Sequence, residues 1–319
     1  MTFLPRAKAA RSLLRWLLAA GLLAALFVAV PAREVASVLA EASPAKLSVA
    51  AALFLAGHAA HTGRLWLLIR AVRLRWTWRE VAHFHFTSMA YALALPGGSV
   101  AGTAVRIYRL SDGGRELGAS SAALIVDRLA ATLTLGLSGL LCAGLGSFHA
   151  DPPVLTVMLA VFAGGSILMA LAVAGAARVP FAAAWLAKRG LSQGAPIRPA
   201  LTACAISLGV HVIGIAAFTA AAGSLGLMPG VLPLGYARAA MIIAAMLPIS
   251  VAGLGVRESA ALLVLGGMGV PPDRAVGLSF MVFILGWLLP ALLGGFLEIA
   301  ALLRRTRQAE TRQDLNQAP

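Results

Sequence analysis

The chain has 319 residues, 60% hydrophobic and 12% charged, with a mean hydropathy of +0.88. A water-soluble domain carries about 45–50% apolar and about 25% charged residues, so this composition excludes one, and its hydrophobicity excludes a disordered chain as well. The net charge of +14 would suggest nucleic acid in a soluble protein; in a chain this apolar it is a question of membrane sidedness, and no nucleic-acid partner is expected.

Six stretches reach the roughly 20 apolar residues that cross a bilayer: 12–30, 46–69, 120–147, 154–177, 200–226 and 275–303. The first is long and lacks a clear small-residue cleavage site, so it reads as an anchor helix rather than a signal peptide. Two further apolar regions are broken. Residues 81–95 end in Pro96-Gly97-Gly98; residues 231–247 end in Pro248, with Gly253 and Gly255 following, before apolar character resumes at 259–267. Proline removes a donor and glycine adds backbone freedom, so both are expected to interrupt helices. Cys142 and Cys204 fall inside apolar runs and read as small core residues; no metal site, cofactor or catalytic residue is expected.

Arginine and lysine orient a membrane protein. Eighteen of the 26 lie in five segments: the N-terminus, 70–79, 109–115, 178–198 and the tail from Arg304. The other connections hold Arg33, Lys46 and Arg274, and five more, Arg64, Arg106, Arg128, Arg238 and Arg257, lie within apolar regions. This split places both termini in the cytoplasm. It also makes each broken region enter and leave on one face, the first from the cytoplasm and the second from outside. Re-entrant hairpins and short spanning pairs both satisfy that parity.

The two broken regions share wording. Ser99-Val100-Ala101-Gly102-Thr103-Ala104-Val105-Arg106 and Ser250-Val251-Ala252-Gly253-Leu254-Gly255-Val256-Arg257 lie 151 residues apart, each preceded by a Leu-Pro pair. Each is flanked by one long span on either side, and His58 and His211 occupy matching places on the leading spans. The expected fold is therefore an all-α polytopic membrane protein, six full spans plus two re-entrant or broken-helix hairpins arranged as an inverted-topology repeat. It forms one integral membrane domain over 1–319: an anchor and loop (1–45), repeat A (46–147), a connecting span and cytoplasmic loop (148–199), repeat B (200–303) and a polar tail (304–319). Such repeats build many secondary transporters, whose interrupted helices meet at the substrate site.

At these residues the chain resembles the flippase-like transmembrane domain of the lysylphosphatidylglycerol synthases and their stand-alone relatives, including hopanoid-cluster and archaeal glycosylation-associated members. The resemblance runs from about Arg64 to Gly295. It rests on Pro96…Ala101-Gly102-Thr103-Ala104-Val105-Arg106, on Asp127-Arg128-Leu129, and above all on Pro248-Ile249-Ser250…Gly253-Leu254-Gly255-Val256-Arg257-Glu258. Thr103 stands where many members carry Asp, and Phe283 lies near the place of an arginine often found on the last span. Only sixteen polar residues follow the last span, so no aminoacyl-transferring domain is expected. The resemblance implies lipid translocation or another lipid-handling role and not lysyl transfer.

Ionisable groups inside a bilayer are costly and need a reason. Arg106 and Arg257 both follow a glycine elbow, where helix N–H groups and a planar guanidinium favour an anion such as a phospholipid or polyprenyl-phosphate headgroup. The expected substrate-binding set is Arg106, Arg257, Glu258, Arg128, Asp127, Arg64, Ser99, Gly102, Ser250, Gly253 and Gly255. His58, His61 and Arg64 share one helical stripe that could face the same cavity. Structural readings stand beside these: Asp127 and Arg128 as glue between helices, Arg257–Glu258 as a fold-locking pair, His58, His61 and His211 as packing histidines, Glu298 as an interfacial group, and Trp66, Trp76 and Trp78 as an interfacial belt. No P-loop or zincin motif is present. The sequence thus reads as a flippase that moves an anionic phospholipid, glycolipid or polyprenyl-phosphate-type lipid between the leaflets of the bacterial inner membrane, not an enzyme. Its expected partners are membrane lipids with anionic headgroups; a homo-oligomer is left open. A secondary transporter of a soluble anion and an accessory protein in lipid or glycan (for example hopanoid) assembly are the alternatives.

Overall fold

The computed structural model describes residues 24, 26–28, 30–95, 98–146, 153–176, 197–247 and 253–317. Every regular element among them is a helix. α1 (Ala32–Ala40) meets α2 (Pro44–Ala71) at a 95° bend, where Pro44 opens α2 with its fixed φ and missing donor. α3 (Trp78–Ala94) starts at a capping box written in Thr77-Trp78-Arg79-Glu80: the Thr77 hydroxyl accepts from the Glu80 N–H at 3.3 Å and the Glu80 carboxylate accepts from the Thr77 N–H at 2.8 Å.

The chain then turns back on itself. Gly98 takes φ +56°, a conformation that glycine adopts without penalty, and α4 (Ser99–Leu110) returns along α3. A Cβ at Gly102 would fall on the Ser88 carbonyl and the Ala92 side chain, so the two helices meet backbone to backbone. Trp76 Nε1 donates to the Leu110 carbonyl at 2.8 Å, and Trp66 Nε1 to the Trp76 carbonyl at 3.1 Å. These two indoles fasten the open end of the hairpin, so they hold structure together where a simple belt was expected; Trp78 stays exposed.

α5 (Leu117–Leu145), α6 (Pro153–Ala176) and α7 (Ile197–Ser224) are long. α8 (Val231–Met246) and α9 (Val256–Gly267) flank the second break. α9 starts three residues before the expected resumption at 259, because Gly253 (φ +75°) and Gly255 (φ +81°) turn the chain directly before it. α10 (Pro272–Phe283) continues through a π turn (Ile284–Leu288) into α11 (Leu289–Gln317). Pro290 explains that turn: it offers no N–H to the Gly286 carbonyl four residues back.

Among the described residues four helical stretches are long and apolar enough to cross a membrane, Leu117–Leu145, Pro153–Leu171, Arg198–Ser224 and Pro272–Arg304; α1 and α2, taken as one bent span, make a fifth. Most of the expected first span, 12–30, lies outside the described residues. α2 and α7 pack antiparallel through their middles, with Lys46 donating to the Gly223 carbonyl at 3.1 Å, Gly57 facing Ile213, and Arg64 donating to Ser207 at 2.8 Å. Large apolar side chains such as Val161, Leu168, Val212 and Phe296 point outward, as a lipid-facing surface requires.

Candidate functional site

A polar layer crosses the apolar interior between α2, α3, α4, α5 and α7. Arg64 is buried on α2, and its guanidinium is fully engaged there. Nε donates to Asp127 Oδ1 at 2.8 Å, Nη1 to Ser207 at 2.8 Å, and Nη2 to His61 Nδ1 at 3.0 Å. Ser207 in turn meets Thr134 at 2.7 Å, and Thr134 meets His211 Nε2 at 3.1 Å. A buried ion pair is tolerated only where its remaining bonding capacity is filled, and Ser207 and His61 fill most of it here. Asp127 therefore acts as the counter-ion of Arg64, while its neighbour Arg128 points away, as adjacent residues on a helix do.

Three histidines line the same layer. His58 Nε2 lies 3.0 Å from the Gly286 carbonyl, and His58 Nδ1 lies 3.0 Å from His85 Nε2. A carbonyl only accepts, so in the neutral ring His58 Nε2 carries the proton, His58 Nδ1 accepts, and His85 Nε2 donates. The Gly286 carbonyl is the one that Pro290 leaves without an α-helical donor. His61 stacks on His85 with ring centroids 4.8 Å apart. Three buried atoms here have no hydrogen-bond partner among the described residues: His61 Nε2, His85 Nδ1 and Asp127 Oδ2, the first and last 3.9 Å apart.

Arg106 and Arg128 complete this region with less compensation. Arg106 is buried and donates through Nε and Nη2 to the Ser88 hydroxyl at 2.9 and 2.6 Å. Arg128 is exposed and donates to Thr103 at 3.4 Å. Among the described residues no carboxylate lies within ion-pair distance of either. Arg128 stands eleven residues into α5, about 17 Å along its axis at 1.5 Å per residue, well inside a span. Arg106 is on the second turn of α4, not at its N-terminus.

The second elbow is closed on itself. Glu258 is fully buried; its Oε2 accepts from the Gly255 N–H at 2.7 Å, and its Oε1 accepts from Ser279 at 3.1 Å and from Arg257 Nε at 3.1 Å and Nη2. Arg257 also bonds Ser279 at 3.1 Å, and its guanidinium lies 4.6 Å from the centre of the Phe283 ring. Arg257 and Glu258 thus lock α9 to α10 with both charges satisfied, and the carboxylate occupies the N–H that an anion would use. Gly253 lets the elbow pack on Ala245, since a Cβ there would lie 2.7 Å from the Ala245 Cβ.

Of the remaining residues singled out, Gly102 serves the close contact within the first hairpin, Ser99 is the first residue of α4, and Ser250 lies outside the described residues. Glu298 is paired: Arg109 donates to it through Nη1 at 2.9 Å and Nη2 at 2.6 Å, and Tyr91 donates at 3.3 Å. Cys142 is buried and Cys204 half-buried, both free. Arg238 sits in the space that Gly214 leaves by lacking a side chain, 3.5 Å from His211 Nδ1. His85, Ser88, Ser207 and Ser279 were not anticipated. For His85 a signal existed, since it stands 27 residues after His58 as Arg238 stands 27 after His211; the serines carry none.

Residues 12–294 match the family model of the lysylphosphatidylglycerol synthase TM region. No curated protein matches the chain. The family match spans most of the 319 residues and includes both elbows and the Arg64–Asp127 layer, so the chain belongs to the lysylphosphatidylglycerol synthase TM region family.

Proposed function

We propose that the protein is a lipid translocase that receives an anionic headgroup at Arg106 and Arg128. The observation that carries this reading is the pair of guanidinium groups without a carboxylate among the described residues, one of them exposed on the flank of a spanning helix. An arginine at that depth is costly unless it meets water or an anion. In this reading its exposed side opens to the bilayer, so that a substrate arrives sideways with its tails in the membrane, which makes the substrate a lipid and not a soluble anion. The family is a membrane domain associated with lipid modification or flipping. In this reading the chain carries lipid and is not an enzyme: its buried carboxylates Asp127 and Glu258 are each held by a guanidinium.

The reading includes an inverted-topology repeat, which matching helix positions support. α2 and α7 start and end 153 residues apart, α3 and α8 start 153 apart, and α4 and α9 are both 12 residues long. α2 and α7 run antiparallel against each other, as halves of opposite orientation require. We place six spans and two re-entrant hairpins in the bacterial inner membrane, with both termini cytoplasmic.

The test is lipid movement in phosphatidylcholine vesicles containing the full chain and a trace of fluorescent phosphatidylglycerol, read by quenching of the outer leaflet. Losing one charge-assisted contact, about 1.5–3 kcal/mol, slows movement about tenfold to a hundredfold in Arg106→Ala and Arg128→Ala. Variants that move lipid at the wild-type rate overturn the site, and a wild type that moves only soluble anions overturns the substrate.

A further inference from the structure

Two joints tie the halves of the molecule together; besides the Thr134 hydroxyl that His211 Nε2 also meets at 3.1 Å, they differ in the side chain that faces Nδ1. In the first, His211 Nε2 lies 3.3 Å from the Ala131 carbonyl, and His211 Nδ1 faces the Arg238 guanidinium at 3.5 Å. In the second, His58 bonds the Gly286 carbonyl and accepts from His85, both at 3.0 Å. Arg238 and His85 both stand 27 residues after their histidine. Arg238 is a fixed cation; His85 is a group whose charge can change.

The bonds define where a proton can enter. The Gly286 carbonyl fixes the tautomer of His58, which fixes that of His85, so the free lone pair is on His85 Nδ1. That atom is buried and unpartnered among the described residues. On His61, by contrast, Nδ1 already accepts from Arg64. A proton added to His85 Nδ1 breaks no bond, makes its Nε2–H a stronger donor to His58, and so tightens His58 on Gly286 in the π turn.

We infer that His85 Nδ1 is a proton-binding site that couples anion occupancy at Arg106 and Arg128 to the joint at Gly286. The anion half of this inference rests on the function proposed above; the proton half does not. The charged and titratable groups facing His85 are His58 and His61 on α2, Arg106 on α4 and Arg128 on α5, with the Arg64–Asp127 pair beyond His61. On its own helix His83 turns to Glu298 instead. Burial first, and then the guanidinium groups of Arg106 and Arg128, oppose a further positive charge, and a bound anion offsets the second of these. Proton and anion therefore enter together, the proton coming from water and returning to it when the anion leaves.

The experiment is ¹⁵N NMR of the full, histidine-labelled chain in phosphatidylcholine bilayers, titrated across neutral pH with and without phosphatidylglycerol. In a background with His83 and His149 replaced by glutamine, one imidazole converts to imidazolium, that signal is missing when His85→Gln is added, and it forms at higher pH when phosphatidylglycerol is present. The same titrating signal in His85→Gln, with the other histidine signals unmoved, overturns the proton site. A signal unaffected by phosphatidylglycerol leaves the site standing and overturns its coupling to the anion. In the vesicle assay His85→Arg makes lipid movement independent of pH, while the wild-type rate changes about tenfold; a His85→Arg protein with the wild-type pH profile also overturns the coupling. Lipid movement absent from the wild type, with the imidazolium intact, overturns the translocase reading and not the proton site.

Discussion

His58 and His211 stand 153 residues apart and share a pair of bonds, one through each ring nitrogen, to which His211 adds the Thr134 hydroxyl at 3.1 Å. Each Nδ1 meets the side chain 27 residues ahead on its own half, and each Nε2 meets a backbone carbonyl, Gly286 or Ala131, on the last long helical stretch of the other half. The two carbonyls lie 155 residues apart. Gly294 and Gly139 are also 155 apart, and each is a close contact with the helix before the elbow of the opposite half: Gly294 with Phe86, Gly139 with Ala239. Phe86 and Ala239 are 153 apart. A packing histidine satisfies one such bond by accident of environment; the matched spacing of donors, carbonyls and glycines is what the proposed inverted repeat requires.

Asp127→Ala leaves Arg64 charged and buried without its counter-ion. Removing one partner of a buried pair costs about 3–5 kcal/mol, so the melting temperature in detergent micelles falls steeply. Replacing both, as Arg64→Met with Asp127→Leu, recovers most of that loss. A single variant as stable as wild type would show that the pair carries no structural load.

The close contacts make an equally direct prediction. Gly294→Val and Gly139→Val force α11 from α3 and α5 from α8, and both proteins are expected to lose folded yield on size-exclusion chromatography. Gly144→Ala is the control: nothing lies within 4 Å of its added Cβ, and helix propensity stabilises it by about 0.5–1 kcal/mol. Similar yields for all three would sink the assignment of Gly139 and Gly294 as contact points.

Arg109 and Glu298 join the end of α4 to α11 by two bonds. Arg109→Glu and Glu298→Arg each remove the pair and place like charges together, whereas the double exchange restores opposite charges. A double-mutant cycle on thermal stability is expected to give a coupling of about 1–2 kcal/mol. Additive effects would mean that the two side chains do not act as a pair.

Orientation can be read with thiols. In a chain with Cys142 and Cys204 replaced by alanine, Met228→Cys lies in the connection expected outside and Asp112→Cys in one expected inside. A membrane-impermeant thiol reagent added to intact cells is expected to label the first and spare the second. The opposite pattern reverses the hairpins and both termini.

Much of the helical layout was legible because it follows from composition. Proline and glycine clusters marked both breaks, and the apolar runs marked α5, α6, α7 and the stretch from α10 to α11. The partners of the buried charges were not legible. That Arg257 bonds its own neighbour Glu258 depends on the side-chain geometry at an elbow, and that Arg64 takes Asp127 depends on how α2 crosses α5; spacing along the chain fixes neither. Glu298 looked interfacial by its position near a helix end, yet it is held by Arg109 from a helix 189 residues away. Serines that serve guanidinium groups, Ser88 and Ser279, look in the sequence like any small residue of a membrane helix.

The antiparallel contact of α2 with α7 has a mechanical consequence. Its anchor points, Lys46 on Gly223 and Arg64 on Ser207, lie towards opposite ends, with His58 and His211 near the middle. Two rods tied near both ends and in the middle form one beam: they tilt together and not against each other, and α3 and α8, which follow them at its opposite ends, are carried on a single stiff support.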